Sequence, residues 1–167
     1  MLGIIKMNAP FQQIEDSPLK ASGRFGRLSY IAWNCLISLV IFAIVLIASA
    51  IFSFISPISL YPIESIPISF FVIFGIIYIA ILYFQIVFSI RRLHDCNKSG
   101  WLVLIFFVPL ANAILGLYML FAEGHRGANN FGPQRPTAGW ETILAWLYIA
   151  FTILMFLILI IMSLYMQ

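Results

Sequence analysis

The sequence predicts an all-α, polytopic helical membrane protein with four hydrophobic segments and a cytoplasmic N-terminus. Of its 167 residues, 63% are hydrophobic and only 9% are charged, whereas about a quarter of the residues of an average soluble domain are charged. The charged residues are confined to four stretches, at 6–27, 64, 91–98 and 123–141, and the segments between them carry none. So few charges cannot cover a soluble globule of this size, which excludes that class and makes lipid the solvent.

Each uncharged segment is long enough to cross a bilayer. After an N-terminal arm at 1–27, which we expect to be cytoplasmic or interfacial, the segments run over 28–63, 65–90, 99–122 and 142–167. About 20 apolar residues cross the hydrocarbon core as a helix. We therefore predict a transmembrane helical domain at 28–167, with spans at about 31–55, 67–90, 100–122 and 142–165. A helix lying on the membrane surface would carry charges along one side, which these segments lack.

The third segment has two alternative paths. Pro109 and Asn112 interrupt it near its middle, since proline removes a helix donor and asparagine adds a polar amide. As a kinked span the segment crosses the bilayer, whereas as a re-entrant hairpin of two half-helices it returns to the side from which it came. We favour the span, because irregular backbone at membrane depth needs shielding by protein or water, and the hairpin stays open.

The distribution of Lys and Arg predicts the orientation. These residues are enriched in cytoplasmic loops, and they occur in the arm and at 91–98, whereas the connection between the first two segments has none. The N-terminus is therefore predicted to lie inside the cell. If the third segment spans the membrane, Arg126 and Arg135 lie outside the cell membrane and the C-terminus lies inside. If it is a hairpin, both arginines lie inside and the C-terminus lies outside. The side of the membrane that holds 123–141 therefore stays open.

Polar residues that flank the segments form a candidate binding cluster on the cytoplasmic side. We expect Arg24 and Arg27, before the first span, to contact anionic lipid headgroups. In the turn after the second span, Asp95 can neutralise an arginine or accept from the amides that open the next helix. Gln85 extends the cluster into the second span, where an amide should face protein rather than lipid. The cluster comprises Arg24, Arg27, Gln85, Arg91, Arg92, His94, Asp95 and Lys98.

A glycine-rich loop after the third segment is the second candidate site. Its glycines and proline indicate a fixed turn path. Amides exposed by glycine can bind anions, although the spacing of a phosphate-binding loop is absent. The residues of this loop are Gly124, Gly127, Asn129, Phe131, Gly132 and Pro133.

We expect neither a metal nor another cofactor. Cys35 and Cys96 are too few for a disulfide framework, and they form no zinc-site spacing with His94 or His125. Adjacent residues on a helix point about 100 degrees apart, so His94 and Asp95 cannot form the oriented pair of a catalytic triad. The chain is therefore predicted not to be an enzyme.

Three blocks of residues carry a resemblance to a known family. They are Gly23-Arg24-x-x-Arg27-x-x-Tyr30, Arg91-Arg92-Leu93-His94-Asp95 followed by Ser99-Gly100-Trp101, and Gly124-x-x-Gly127-x-Asn129-x-Phe131-Gly132-Pro133. Together they resemble the bacterial inner-membrane family catalogued as domain of unknown function 805, over about 20–136. The sequence departs from the family pattern at Ile31, Asn130 and Gln134. The resemblance implies a multi-pass protein of the bacterial inner membrane and, since the family's activity is unassigned, no reaction.

Three functions stay open. We favour an accessory or scaffold protein that binds membrane partners through its helices and its basic cytoplasmic turn. Its expected partners are the anionic headgroups of the bilayer and either another membrane protein or further copies of the chain, and nucleic acid is not expected. The alternative is a transport or channel subunit, including an oligomeric one, or a membrane immunity protein. The third candidate function is that of a membrane enzyme.

Overall fold

The computed structural model describes residues 17–55 and 68–166, which form helices and turns and contain no strand. The predicted all-helical fold is confirmed for this part of the chain. The first 16 residues of the predicted arm lie outside the described residues. In order, the elements are α1 at Arg27–Ile55, α2 at Ile68–Asp95, a 3₁₀ helix at Gly100–Phe107, α3 at Ala111–Phe121 and α4 at Gly139–Tyr165.

Three of the helices are long enough and apolar enough to cross a membrane. They are α1, α2 and α4, with 29, 28 and 27 residues. At about 1.5 Å per residue each is about 40 Å long, which exceeds the hydrocarbon thickness of about 30 Å. The apolar composition that predicts these segments therefore also produces helices of membrane length.

The third hydrophobic segment is not one continuous helix. Its 3₁₀ helix and α3 each cover only about 16 Å. They are separated by a bend in which Pro109 lacks an amide hydrogen and Leu110 has a positive φ of 66°. The segment begins beside the end of α2 and also returns there, because Nε of Arg92 donates to the carbonyl of Met119 at 2.7 Å. In the structure the segment is therefore a bent hairpin of two short helices rather than one continuous helix over 100–122, which is the geometry of the re-entrant alternative.

The helix ends converge at one end of the bundle, which we call the polar end. The amide of Phe25, just before α1, donates to the carbonyl of Arg91 near the end of α2 at 3.0 Å. The hydroxyl of Ser29 in α1 donates to Glu141 at the start of α4 at 2.8 Å. The polar end thus contains the start of α1, the end of α2, both ends of the hairpin and the start of α4. The C-terminal end of α4 lies at the opposite end of the bundle.

The polar end also holds the apolar core. Phe25, Phe88, Leu93 and Met119 are buried there, and the ring of Trp33 stacks on that of Phe25 with centroids 6.2 Å apart. Away from this end the long helices expose apolar side chains over most of their length. This distribution is typical of helices whose outer surface contacts lipid.

A Schellman motif ends α2 and turns the chain into the hairpin. Asn97 is left-handed, with φ of 54°, which asparagine tolerates better than most residues. Its amide donates to the carbonyl of His94 at 3.0 Å, and the amide of Lys98 donates to the carbonyl of Leu93 at 2.9 Å. Carbonyls at the end of α2 are thereby satisfied within the turn.

Candidate functional site

All donors of the buried guanidinium of Arg24 are hydrogen bonded. Nε and Nη2 donate to Oδ1 of Asp95 at 3.2 and 3.0 Å, and Nη2 also donates to the carbonyl of His125 at 2.5 Å. Nη1 donates to the carbonyls of Gly127 and Gly132 at 2.6 and 3.1 Å. A guanidinium has five N–H groups, so its donor capacity is used within the protein.

The expectation that Arg24 contacts lipid headgroups is therefore wrong. Its side chain is 1% exposed, and it lies before the first residue of α1 rather than on that helix. The neighbouring Arg27 is exposed, so only this second arginine of the block remains available to the membrane surface.

Asp95 lies between two buried arginines. Its Oδ1 accepts from Arg24 and its Oδ2 accepts from Nη1 of Arg92 at 2.7 Å. Arg92 also donates through Nη2 to the carbonyl of Ala122 at 2.5 Å. The prediction that Asp95 neutralises an arginine is confirmed, and the carboxylate in fact contacts two. We call Arg24, Arg92 and Asp95 the arginine–aspartate lock, because they join the arm, α2 and the end of the hairpin.

Residue 124 has to be glycine, because its backbone lies too close to the lock to leave room for a side chain. A Cβ atom at this position would lie 2.0 Å from Oδ2 of Asp95, far inside van der Waals contact. The next residue fixes the approach, because the amide of His125 donates to the backbone carbonyl of Asp95 at 2.7 Å. The glycine therefore lets the loop backbone pass directly over the carboxylate.

The glycine-rich loop presents carbonyls, rather than amides, to a charged group. Gly127 and Gly132 have φ of 81° and 111°, a backbone region that favours glycine, and this conformation aims their carbonyls at Arg24. Asn129 and Gly132 exchange backbone hydrogen bonds of 3.1 and 3.0 Å, which close the turn. The exposed Pro133 follows the turn. The loop thus surrounds a cation of its own chain, and the idea of an anion-binding loop does not fit this geometry.

His94 anchors the loop from the side of α2. Its ring stacks on the ring of Phe131, with centroids 3.8 Å apart and planes at 7°. Its Nδ1 lies 3.3 Å from the carbonyl of Gly23, and its own carbonyl accepts from the side-chain amide of Asn129 at 2.7 Å. His94 therefore contacts both the arm and the loop.

Arg91 fastens the arm to α2. Its Nη1 donates to the carbonyls of Ser17 and Lys20 at 3.0 and 3.1 Å and also to that of Ser22. Its guanidinium lies over the ring of Phe25, 4.2 Å from the centroid. Like Arg24 and Arg92, Arg91 is fully buried, so three arginines of the predicted binding cluster lie in the interior.

A second buried carboxylate, which sequence reasoning missed, joins α1 to α4. Glu141 is fully buried and receives two hydrogen bonds from Arg135, at 3.1 and 2.8 Å. Nε1 of Trp33 donates to it at 2.7 Å, and the amide of Ala138 donates at 3.1 Å. The available signal was a lone acid in the first turn of an apolar helix, a position that the helix dipole favours.

The remaining candidate residues lie outside this interior. Lys98 is exposed and Gln85 is half-buried on α2. Arg126 forms an exposed ion pair with Glu123 at 2.6 Å, and this guanidinium lowers the pKa of the Glu123 carboxyl from its ordinary value. In residues 17–55 and 68–166, no three His, Cys, Asp or Glu side chains come together as metal ligands would.

This arrangement is suited to holding backbone in place. The carboxylate of Asp95 accepts hydrogen bonds on both oxygens, and the guanidinium groups around it also donate to carbonyls of the arm, the hairpin and the loop. An acid or base that exchanges protons with a substrate needs an accessible atom, whereas the charged atoms of the lock are hydrogen bonded to groups of the same chain.

The fold and the polar end together define an α-helical membrane protein with three membrane-length helices and a hairpin held by a buried arginine–aspartate lock. A family model described as "Protein of unknown function (DUF805)" matches residues 18–133, which include the lock and the glycine-rich loop. The chain belongs to this family, as the three sequence blocks predict.

Two curated relatives were also found. The chain is 38% identical over 61 residues to the "Inner membrane protein YhaI" of Escherichia coli strain K12, and equally to the protein of that name from Escherichia coli O157:H7. The match covers 33% of this chain and 52% of each relative, so the chain spans about half the length of the curated relatives it matches. No solved structure matches the chain significantly.

Proposed function

We propose that this chain is a multi-pass protein of the bacterial inner membrane that acts as a non-enzymatic accessory or scaffold protein. Its polar end faces the cytoplasm, and the exposed surfaces of its long helices bind membrane partners, either another membrane protein or further copies of the chain. The E. coli relatives, named as inner membrane proteins, support the location. The exposed cations Lys20, Arg27 and Lys98 at the polar end support the orientation, since such residues are retained in the cytoplasm.

One observation carries the accessory role. The buried ionisable side chains of the polar end bind one another and backbone carbonyls, whereas the membrane-length helices keep their apolar surfaces on the outside. In the most apolar stretch of α4 none of the residues is buried within the protein. The buried polar groups therefore stabilise the fold of the chain itself, and the exposed apolar helix surfaces remain available to bind other membrane helices. Such association in membranes proceeds by side-chain packing.

Site-specific photocrosslinking in living cells tests this proposal. A photoreactive phenylalanine analogue is placed singly at positions 150–161 of α4. A protein partner packs against one face, so we expect a crosslinked band of fixed mass at positions three and four apart, such as Leu154, Leu157 and Ile161, and none at the positions between. Two differently tagged copies distinguish a second chain from another protein. The same analogue at Ala128, in the loop, is the control.

Two outcomes would contradict the accessory role. Lipid adducts alone, at every position of α4, would show that this surface meets only the bilayer. Flux of ions or small solutes through vesicles that contain the purified protein would favour the transport alternative, particularly if substitution of Gln85, the half-buried amide of α2, altered the selectivity.

A further inference from the structure

An open groove lies on the surface between α2 and the 3₁₀ helix. Its volume is about 480 Å³, which falls within the range of about 300–1,000 Å³ typical of ligand clefts. Its walls are apolar and include Ile86 and Ile90 of α2 and Leu104 and Phe107 of the 3₁₀ helix. Leu104 and Phe107 are exposed, so the groove opens toward the surroundings of the bundle.

The groove becomes polar where it reaches the polar end. There it is bordered by the stacked rings of His94 and Phe131 and by Ser99. The hydroxyl oxygen of Ser99 accepts from the amide of Trp101, so its own hydrogen can be donated to an anion. Lys98, the residue before it, is exposed. The mouth of the groove thus has a hydroxyl donor, and the residue that precedes it in the chain is an exposed cation.

The length of the groove connects two depths of a membrane. Ile86 and His94 are two turns apart on α2, a distance of about 12 Å. Both residues belong to the membrane-length part of α2, with His94 at the polar end beside the lock and Ile86 further from that end. With the polar end at the cytoplasmic membrane surface, as proposed above, one end of the groove lies near headgroup depth and the other among hydrocarbon chains.

We propose that this groove binds one anionic phospholipid. Its acyl chain lies along the apolar walls, and its phosphate contacts Lys98 and Ser99 at the mouth. Charge complementarity favours this occupant: Asp95 and Glu141 are buried against arginines, and Glu123 is paired with Arg126, so no unpaired carboxylate among the described residues would repel the phosphate. The proposal does not depend on the accessory role.

The fluorescence of Trp101 reports on occupancy, because this side chain lines the groove and is 78% exposed. The full chain is placed in phosphatidylcholine vesicles with a minor fraction of either brominated phosphatidylglycerol or brominated phosphatidylcholine, whose bromines quench tryptophan. The signal of Trp101 is the difference between the wild type and Trp101→Phe. The difference for Trp146→Phe, on the exposed surface of α4, is the control.

We expect Trp101 to be quenched more by the anionic brominated lipid than by the zwitterionic one, and Trp146 to be quenched equally by both. Lys98→Gln should lower the preference about fivefold, the effect of one lysine near an anionic surface. Lys20→Gln, which removes another exposed cation at the polar end, should leave it unchanged. Ile86→Phe, which fills the deep end of the groove, should lower quenching of Trp101 by either lipid.

Three results would overturn the proposal. Equal quenching of Trp101 by both lipids would show that the groove does not select an anionic molecule. An equal loss with Lys20→Gln and Lys98→Gln would show a general effect of surface charge. Protection of Trp101 that disappears when the protein is diluted in lipid would show that a second copy of the chain occupies the groove.

Discussion

Replacing Asp95 by asparagine tests the arginine–aspartate lock directly. Three charge-assisted hydrogen bonds end on this carboxylate, two from Arg24 and one from Arg92. Asparagine keeps one acceptor oxygen, so it can accept from only one of the two arginines, and its amide group would point a donor at the other arginine. The substitution also removes the negative charge that balances the two buried cations. Removing one partner of a buried ion pair costs about 3–5 kcal/mol, so Asp95→Asn should lower the free energy of unfolding by about this amount.

The measurement is a denaturant titration of the detergent-solubilised protein, followed by tryptophan fluorescence. Glu123→Gln is the matched control, since it removes a carboxylate from an exposed ion pair with Arg126, and such pairs contribute little. Arg24→Gln should cost less in the Asp95→Asn background than in the wild type, because it then removes an unbalanced cation. If Asp95→Asn were as stable as Glu123→Gln, the reasoning about the lock would be refuted.

Three further predictions concern the loop, the second carboxylate and the topology. Gly124→Ala should lower the free energy of unfolding by about 1–3 kcal/mol through overpacking against the lock, whereas Gly116→Ala, with nothing within 4 Å of its added Cβ, should not; equal effects would contradict the close approach. Glu141→Gln should cost about 2 kcal/mol in the same titration, because it weakens a charge-assisted network, and no loss would show that α1 and α4 are held by apolar packing alone. In a cysteine-free background, Ala128→Cys should react with a membrane-impermeant maleimide only after the cells are permeabilised, whereas Met166→Cys should react in intact cells. Labelling of both cysteines from the same side of the membrane would disprove a topology with an odd number of spans.

The long helices could be predicted because lipid imposes a simple rule of length and charge. The path of the third segment could not be settled in the same way, since Pro109 is compatible with both a kinked span and a hairpin. The hairpin is set by contacts distant in sequence, such as the hydrogen bonds from Arg92 to the carbonyls of Met119 and Ala122. The tendency of Lys and Arg to lie on one side is the sequence signal that favours the hairpin.

The site residues could be found from the sequence more readily than their environment. The three blocks contain the lock and the loop, but an arginine next to an apolar segment usually indicates a headgroup contact. The burial of Arg24 follows from a partner 71 residues away, Asp95, and no local pattern shows that pairing. Glu141 was overlooked for the same reason, because its partners Ser29 and Trp33 belong to another helix.

The buried charges have the signs that suit the helix ends around them. The lock contains two cations and one anion, and it lies among the C-terminal carbonyls of α2 and α3, several of which accept hydrogen bonds from Arg92 or the loop. Each helix C-terminus carries about half a negative charge, so two of them offset the excess positive charge of the lock. Glu141 lies conversely at the positive start of α4 and contacts the first turn of α1. Carbonyls at a helix end have no partner within the helix and in soluble proteins often bind water; here guanidinium groups donate to them instead, and the hairpin depends on these hydrogen bonds to return to the polar end.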